Sequence, residues 1–386
     1  MKKILLINHA GGMGGASKSL IDMVECIDHS RYTIALATVS CPDDSLRAFQ
    51  EIEGIDEIIP IQARNLSIAH FSGGDGRFFS YGFLSSVWTV FASSSEMKKI
   101  LKRCSPDIVI INSMTAFWIA ILAKKMPCKT ICWIRETFPK GRFGFRTKMI
   151  RKALIRYCDS LVFISDYDSK DFGAYKGLKK TIYDPVDVEK FDRAKLNREE
   201  IRQQLGLEQS KKYVLYLGGC IEFKGVDVVL SACELNNNAD VKFILAGYGN
   251  VSGNREKRIE ELIAQKKLCV LPPTPEVEKY YAIADVAIFP AIKAHQSRII
   301  YEAWAARIPA VVSNFDNLKE FSTPTVFYSN VGDAVDLCEK IGLALTGCRE
   351  DDLQQSYEMA RRYHGLLQLQ QGMNEIISEC AGEEEE

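Results

Sequence analysis

Residues 3–27 read KILLINHAGGMGGASKSLIDMVECI. An apolar run, Lys3–Asn8, leads into a glycine-rich turn, Gly11–Gly15, and then into a segment whose apolar residues recur at helical spacing. A strand, a tight glycine turn and a helix in this order are typical of a doubly wound parallel sheet. The helix start suits a phosphate group, although the stretch is neither a P-loop nor the full dinucleotide fingerprint. A plain tight turn is the alternative.

The same alternation of apolar runs and helical stretches continues along the chain. Predicted strands of the first half are Lys3–Asn8, Thr33–Val39, Ile108–Asn112, Thr130–Ile134 and Leu161–Ser165. Those of the second half are Tyr213–Leu217, Val241–Ala246, Leu268–Leu271, Val286–Phe289, Ala310–Ser313 and Thr325–Tyr328. Continuous Val, Ile and Leu runs are typical of strands covered on both faces, so the pattern predicts an α/β protein with parallel sheets. A polar, charge-rich connector at about Asp184–Lys212 interrupts it and predicts a boundary between two domains.

The composition narrows the class of protein. The chain has 386 residues, of which 47% are hydrophobic and 26% charged, as in ordinary globular proteins. Lys and Arg number 49 against 50 Asp and Glu, so the basic surplus of a nucleic-acid binder is missing. The apolar run at the start is too short for a signal peptide. The 12 cysteines, with no Cys-x-x-Cys, are therefore expected as reduced thiols in a cytoplasmic protein.

Two glycine-containing segments of the second half follow predicted strands. Gly218-Gly219 comes after one strand, and Lys224 precedes the next helix, where a lysine can reach a pyrophosphate. Gly247-Tyr248-Gly249 follows another strand and can pass close to a nucleotide base. The alternatives are a surface lysine and an ordinary loop, because each motif alone is weak.

The stretch Phe289–Trp304 is the richest in polar groups suited to an anion. His295, Ser297 and Arg298 crowd the start of a predicted helix, and Glu302 follows one turn later. A carboxylate at that position can accept hydrogen bonds from a ribose diol. The alternatives are a loop histidine that only forms hydrogen bonds and a glutamate on a helix surface.

Two further segments suggest a surface function. Thr137–Tyr157 contains seven basic residues and no acidic one, with aromatic residues between them, so Lys140–Arg156 is a candidate surface for an anionic membrane. A solvated basic helix face is the alternative. Phe78–Ser95 is too polar for a membrane span, and its apolar residues recur at helical spacing, as expected for an amphipathic helix packed on the core. These residues are Phe79, Phe83, Val87, Val90 and Phe91. A helix facing lipid or an acceptor is the alternative.

In this order, the segments resemble the retaining glycosyltransferases of family 4, which have a GT-B fold of two Rossmann-like domains. The matching segments are Gly14–Ser17 (the N-terminal glycine loop), Thr181–Asp187 (the interdomain segment), Gly218–Asp227 (the donor-phosphate element), Leu245–Gly249 (the Gly-x-Gly), Tyr281–Pro290 (the strand before the active-site loop), and Glu302–Ala305 with Pro309–Ser313 (the end of the Glu-x7-Glu motif and the following strand). The resemblance covers most of the chain. Individually weak motifs gain their specificity from this order.

The chain departs from the family pattern at three places. The first glutamate of the Glu-x7-Glu motif falls at Ala294, and the phosphate-binding arginine falls at Gly219. The usual histidine of the N-terminal domain falls near Ile110–Asn112, where none is present. The sequence His295-x-x-Arg298-x-x-x-Glu302 is similar to a subgroup with a His-x-x-Arg loop in place of the first glutamate. We expect Arg298 to supply the charge that Gly219 does not provide.

The resemblance implies an architecture. The N-terminal, acceptor-side domain would comprise residues 1–184 plus about 360–386, and the nucleotide-sugar domain residues 185–359. The two would face a cleft. A final helix, about Asp352–Glu379, would return to the first domain.

The resemblance also implies a site. Lys224, Arg298 and His295 would be catalytic, with Lys224 and Arg298 neutralising the leaving diphosphate. The donor would be held by Gly14, Gly15, Gly218, Gly219, Lys224, Gly247, Tyr248, Gly249, Ser297, Arg298, Ile299, Ile300 and Glu302. The acceptor side would be Asn112, Arg135 and Glu136.

The implied function is transfer of a sugar from a UDP- or GDP-linked donor, with retention and with neither metal nor cofactor. The acceptor would be a glycan or lipid-linked glycan of cell-surface polysaccharide assembly, met in the cytoplasm or at the cytosolic face of a membrane. Two other interpretations stay open: a nucleotide-sugar epimerase, and a GT-B protein that binds a nucleotide sugar or a partner without catalysis. A nicotinamide-dependent dehydrogenase fits worse, because neither glycine loop has the full fingerprint.

Overall fold

The structure is a computed structural model that describes residues 1–12, 14–41, 43–63, 65–68, 81–137, 145–247, 251 and 253–383. The chain divides into two compact units. Unit 1 comprises Met1–Pro185 and Leu366–Glu386, and unit 2 comprises Val186–Gly365. Each unit is built around its own parallel sheet.

The sheet of unit 1, in the described part of the chain, has seven parallel strands in the order β3-β2-β1-β4-β5-β6-β7. They are β1 (Lys2–Asn8), β2 (Tyr32–Val39), β3 (Glu57–Ile61), β4 (Ile108–Ile111), β5 (Lys129–Ile134), β6 (Ser160–Phe163) and β7 (Leu178–Thr181). In the centre of the sheet, Leu6 pairs with Leu36 on one side and with Ile110 on the other. The order reverses at β1, as in a doubly wound sheet.

Helices cover both faces of this sheet. They are α1 (Gly15–Cys26), α2 (Asp44–Gln50), α3 (Tyr81–Cys104), α4 (Trp118–Ala123), α5 (Phe145–Tyr157), α6 (Asp166–Ser169) and α15 (Leu366–Ala381). Alternate residues of β1 face opposite sides. Ile4 and Leu6 join a core with α1, α2 and α15, whereas Leu5 and Ile7 join a core with α3, α4 and α5.

Unit 2 repeats the arrangement within the described residues, with six parallel strands in the order β10-β9-β8-β11-β12-β13. The strands are β8 (Lys212–Tyr216), β9 (Val241–Ala246), β10 (Leu268–Leu271), β11 (Val286–Phe289), β12 (Ala310–Ser313) and β13 (Val326–Ser329). The helices are α7 (Val188–Leu196), α8 (Arg198–Gln204), α9 (Val226–Leu235), α10 (Asn254–Ala264), α11 (Val277–Ile283), α12 (Ile299–Ala305), α13 (Ala334–Gly347) and α14 (Glu350–Tyr363). Short 3-10 helices occur at Met114–Ala116, Lys170–Phe172, Glu222–Lys224 and Asp316–Phe321.

The predicted α/β class of two doubly wound sheets is confirmed, and each predicted strand is present within two residues of its predicted bounds. Two strands were not predicted, β3 and β7, and they are the two edges of the unit 1 sheet. Neither contains the uninterrupted apolar run that marked the predicted strands. β3 contains Pro60, which an edge strand tolerates, and β7 contains Lys179 and Lys180.

The single helix predicted over Asp352–Glu379 is wrong. The segment forms two helices, because α14 ends at Tyr363 and α15 begins at Leu366. Between them His364 is buried, with its ring stacked on Tyr301 at a centroid distance of 4.1 Å. This anchor holds α14 against α12 in unit 2, while α15 packs on α1 in unit 1.

The helix predicted around Phe78–Ser95 exists but differs in length and orientation. In the described residues it is α3, which runs from Tyr81 to Cys104. The expectation that its first apolar stripe packs on the core is wrong for Val87 and Phe91, which are exposed. Its buried side is formed further along, by Met97 and Leu101. The prediction holds for Val90, which is partly buried against the same core. Phe79 and the side chain of Phe83 lie outside the described residues.

No helix in the part of the chain that the structure describes is both long enough and apolar enough to cross a membrane.

Candidate functional site

Both sheets have a crevice where the strand order reverses. In unit 1 this point lies between β1 and β4, and in unit 2 between β8 and β11. Ligands of doubly wound sheets bind outside the carboxyl ends of the strands at this point. Gly14 and Asn112 follow the two central strands of unit 1, whereas Gly218 and Pro290 follow those of unit 2.

In unit 2, a close backbone contact joins the turn at Lys224 to the loop after β11. Gly225 has φ +89°, and a Cβ there would lie 1.9 Å from the carbonyl oxygen of Pro290. The N–H of Ile292 also donates to the carbonyl of Phe223 at 3.0 Å. Only glycine fits both the backbone angle and the space, so the turn is fixed against the loop that contains His295 and Arg298.

The ends of β8 and β9 are joined in the same way. The N–H of Gly219 donates to the carbonyl of Ala246 at 2.9 Å. Gly247 has φ +121°, and a Cβ there would lie 2.9 Å from the nitrogen of Gly219. The predicted donor residues Gly218, Gly219 and Gly247 thus lie along one sheet edge, whereas Tyr248 and Gly249 lie outside the described residues.

Lys224 is a cation that has no counter-charge among the residues the structure describes. It is half-buried, and no hydrogen bond or ion pair of its ammonium group occurs within the described ranges. Burial lowers the pKa of Lys224, because removal from water penalises the charged form. An anion placed beside this ammonium group would relieve that penalty.

His295 lies beside Lys224 as a neutral imidazole. Its ring packs against Phe223 and Phe289, with centroid distances of 5.5 and 4.9 Å. Its Nδ1 is 2.9 Å from the carbonyl oxygen of Lys293, so Nδ1 donates a proton and Nε2 is left as the acceptor. Burial, with a smaller contribution from Lys224, lowers the pKa of His295 to about 4. Near pH 7 the ring therefore accepts hydrogen bonds and adds no charge.

Two side-chain hydrogen bonds from a neighbouring segment hold the loop that carries His295. The side-chain amide of Asn317 donates to the carbonyl of His295 at 3.0 Å. The hydroxyl of Ser313 donates to the carbonyl of Ala291 at 2.7 Å. Both partners lie at or after the end of β12, so the neighbouring strand fixes the loop's position.

Arg298 and Glu302 form an ion pair at the start of α12. The Nε of Arg298 donates to one carboxylate oxygen of Glu302 at 3.2 Å, and the hydroxyl of the buried Tyr281 donates to the other at 2.9 Å. A carboxylate has about four lone-pair positions, so Glu302 can still accept from a ribose hydroxyl. The hydroxyl of Ser297 accepts from the N–H of Ile299 at 3.4 Å, and Ile299 and Ile300 are buried at the helix start.

In unit 1, Asn112 links the first turn of α1 to Arg135. Gly14 immediately precedes α1, and neither Gly14 nor Gly15 has a described atom within 4 Å of the position a Cβ would take. Asn112 donates to the carbonyl of Ala16 in the first turn of that helix at 2.9 Å. Its side-chain oxygen accepts from the Nε of Arg135 at 2.6 Å.

Arg135 is buried at the carboxyl end of β5. It forms an ion pair with Asp184 at 2.7 Å, and its guanidinium group lies over the Trp133 ring at 4.5 Å. Its Nη2 is buried and has no hydrogen-bond partner among the described residues. The guanidinium thus connects the end of the sheet to the last residues of unit 1.

Glu136 is a carboxyl group held mainly by backbone donors. It accepts from the N–H groups of Met114 and Arg135, each at 3.2 Å, and from the hydroxyl of Ser113. Burial raises the pKa of Glu136, although these hydrogen bonds oppose the shift. A raised pKa brings the carboxyl group closer to the range of a proton acceptor.

Four residues of these sites were not predicted: Tyr281, Asp184, Phe223 and Asn317. Tyr281 and Asp184 occur inside motifs that were recognised, but nothing in their spacing indicates which side chain they contact.

Two family models match the chain and together span most of it. "Glycosyltransferase Family 4" matches residues 13–190, and "Glycosyl transferases group 1" matches residues 197–360. The division between the matches falls near the boundary between the two units.

Curated relatives are similar over part of their length. A D-inositol 3-phosphate glycosyltransferase of Pseudarthrobacter chlorophenolicus is 26% identical over 147 residues, 36% of this chain and 34% of that protein. A UDP-N-acetylglucosamine–N-acetylmuramyl-(pentapeptide) pyrophosphoryl-undecaprenol N-acetylglucosamine transferase of Caldanaerobacter subterraneus is 26% identical over 242 residues, 60% of this chain and 61% of that protein. The chain thus matches about a third to three fifths of these relatives.

Solved structures match over nearly the whole chain. Anabaena HepE, crystallised with UDP and glucose, has a TM-score of 0.76 at 17% identity, covering 98% of this chain and 100% of that one. Sucrose-phosphate synthase of Thermosynechococcus elongatus has a TM-score of 0.71 at 15% identity, covering 98% and 99%. The fold is therefore GT-B. Each unit, in addition, is matched over most of its length by a glycosyltransferase family model.

The contact at Gly225 gives a stability prediction with an internal control. Gly225→Ala should lower the free energy of unfolding by at least about 2 kcal/mol, because the new methyl group meets the Pro290 carbonyl. Gly206 also has positive φ, +67°, but its Cβ position is open. Gly206→Ala should lower the free energy of unfolding by about 1 kcal/mol, because only the unfavourable backbone conformation contributes. Equal losses in denaturant unfolding would contradict the contact.

Proposed function

We propose that the chain transfers a sugar from a nucleoside diphosphate sugar to an acceptor hydroxyl. The observation that carries this proposal is the ammonium group of Lys224, which is half-buried at the carboxyl end of the unit 2 sheet and has no counter-charge among the described residues. A diphosphate is the kind of ligand that such a cation accommodates. The turn at Gly225 packs against the loop after β11, so this cation lies near His295. The same loop leads to Arg298.

A uridine nucleotide is the donor we favour, with a guanosine nucleotide as the second choice. The support is that the similar HepE structures contain UDP, UDP with glucose, or UDP-glucose. Glu302 would bind the ribose, and the glycines at the ends of β8 and β9 would lie along the nucleotide.

The chemistry we propose retains the anomeric configuration. The bond between the anomeric carbon and the diphosphate oxygen breaks, and a bond to the acceptor oxygen forms on the same face of the sugar. The acceptor proton goes to the departing phosphate. Lys224 and Arg298 would stabilise the charge that develops on this phosphate, a role of fixed cations that requires no metal. His295 would accept a hydrogen bond through Nε2.

Unit 1 would supply the acceptor side. Asn112, Arg135 and Glu136 form a connected polar group at the carboxyl ends of β4 and β5. We propose a glycan or lipid-linked glycan as acceptor, in cell-surface polysaccharide assembly. The support is the similarity to the Caldanaerobacter transferase, whose acceptor is linked to pyrophosphoryl-undecaprenol.

The basic segment Lys140–Arg156 would bring the protein to an anionic membrane on the cytoplasmic side. Its described helix, α5, presents Lys148, Lys152 and Arg156 at intervals of four residues, and all three are exposed. This spacing places three cations on one helix face. Arg151, by contrast, forms an ion pair with Asp171 at 2.9 Å.

Donor binding is tested by calorimetric titration with UDP. Lys224→Met should weaken UDP binding by about 10- to 100-fold, the loss expected for a charge-assisted contact. Arg298→Ala should weaken it by a similar factor. Lys279→Met, at an exposed lysine of α11, is the matched control and should bind like the parent. Unchanged affinity in Lys224→Met, with an unchanged melting temperature without ligand, would refute the donor site.

The membrane role of α5 is tested by sedimentation with vesicles of phosphatidylcholine and phosphatidylglycerol at low salt. Lys148→Gln/Lys152→Gln should reduce the bound fraction, because each cation near an anionic surface contributes about 1 kcal/mol. The effect should shrink as salt is raised, since salt screens exposed charges. A parent protein that ignores these vesicles at low salt would contradict the role.

A further inference from the structure

The first half of α3 carries an exposed apolar stripe in unit 1. Leu84, Val87, Trp88 and Phe91 are 56%, 42%, 71% and 72% exposed. Their spacing of i, i+3, i+4 and i+7 places them on one face of the helix. The rings of Trp88 and Phe91 are 6.3 Å apart, so the two aromatic side chains form one patch.

The helix cannot turn this stripe inward without losing its core contacts. The opposite face buries Ser93, Met97, Ile100 and Leu101, and the last three join the core beneath α3. The packing of the second half therefore fixes the stripe outward. Four clustered apolar side chains, two of them aromatic, indicate an interaction surface rather than scattered surface residues.

The same face becomes basic further along the helix. Lys98, Lys99 and Lys102 continue the stripe and are exposed, and none of them has an ion pair in the described part of the chain. The helix has 24 residues and is thus about 36 Å long. One end is apolar and aromatic, and the other end of the same face is cationic.

Helix α5 adds cations on the same side of the sheet. Both α3 and α5 pack on the sheet face to which Leu5 and Ile7 contribute, with α4 in contact with each. The exposed stripe Lys148, Lys152 and Arg156 therefore belongs to the same helical layer as α3.

We propose that the α3 stripe inserts into the interface of an anionic lipid membrane, with Trp88 and Phe91 among the headgroups and Lys98, Lys99 and Lys102 on the lipid phosphates. Trp at the membrane–water interface, apolar residues on one face and lysines beside them are the features of a helix that lies on a membrane. A protein partner would not require three unpaired lysines in line with the apolar residues. The inference rests on the proposed function in one respect: membrane binding would bring the protein to a lipid-linked acceptor.

The distribution of tryptophans makes insertion directly observable. Trp88 is 71% exposed, whereas Trp118, Trp133 and Trp304 are 6% exposed or less. Acrylamide quenching and the red edge of the emission therefore report Trp88. On vesicles of equal parts phosphatidylcholine and phosphatidylglycerol, we expect the emission to shift to the blue and quenching of Trp88 to fall. Quenching that is already absent without vesicles would mean that protein covers the stripe, and would overturn the proposal.

Matched variants distinguish membrane insertion of the α3 stripe from attraction by surface charge and from donor binding. Trp88→Ser/Phe91→Ser should lower vesicle affinity at least about tenfold at moderate salt, because the buried aromatic area is lost. Leu196→Ser/Val335→Ser, at exposed apolar residues of unit 2, should bind vesicles like the parent. UDP affinity should be unchanged in both, so failure here leaves the donor site intact.

Three results would contradict the proposal. Vesicle binding of Trp88→Ser/Phe91→Ser equal to the parent's would assign binding to α5 alone. Vesicle binding without any change in Trp88 emission would mean the same. A parent that is dimeric in solution, with a monomeric Trp88→Ser/Phe91→Ser variant, would assign the stripe to self-association.

Discussion

The contact between Gly225 and the carbonyl of Pro290 sets the geometry of unit 2's candidate site. It presses the turn that carries Lys224 onto the loop that carries His295. That packing removes the ammonium group of Lys224 from water while offering it no carboxylate in the described residues. A protein that keeps such a cation leaves a position for an anion that arrives with a ligand.

The buried cations of the two units differ in the partners that surround them. In unit 1, Arg135 is satisfied in part by Asp184 and Asn112, so its charge is largely used within the protein. In unit 2, Arg298 is oriented by Glu302, but Lys224 has no ion pair within the part of the chain that the structure describes. Among the described residues, the buried cation without a counter-charge thus lies in unit 2, where we propose that the anionic donor binds, whereas the polar group of unit 1 is a network of hydrogen bonds.

The fold could be predicted from the sequence wherever burial determines which residue types occur. The central strands and the glycine turns could be predicted because strands covered on both faces need continuous apolar runs, and close backbone contacts need glycine. Strands β3 and β7 were missed because Pro60 interrupts the first and Lys179 and Lys180 occupy the second. The break at His364 was missed because it depends on the ring of Tyr301, more than sixty residues away in the chain.

The residues of the candidate site could be predicted from the sequence, but most of their contacts could not. The order of motifs indicated Lys224, Arg298 and Glu302, but a side chain's partner depends on packing between distant elements. Neither the hydrogen bond from Tyr281 to Glu302 nor the absence of a partner for Lys224 follows from spacing. The outward face of α3 is a similar case, since the same apolar spacing fits a buried stripe and an exposed one.

The most direct test of the account is the pKa of Lys224, followed by NMR of its side-chain nitrogen with and without UDP. Burial without a counter-charge predicts a pKa below the ordinary lysine value in the free protein. Bound diphosphate favours the charged form, so UDP should raise this pKa, and UDP affinity should fall as pH rises through the pKa of the free protein. An ordinary pKa that UDP leaves unchanged would contradict the central claim.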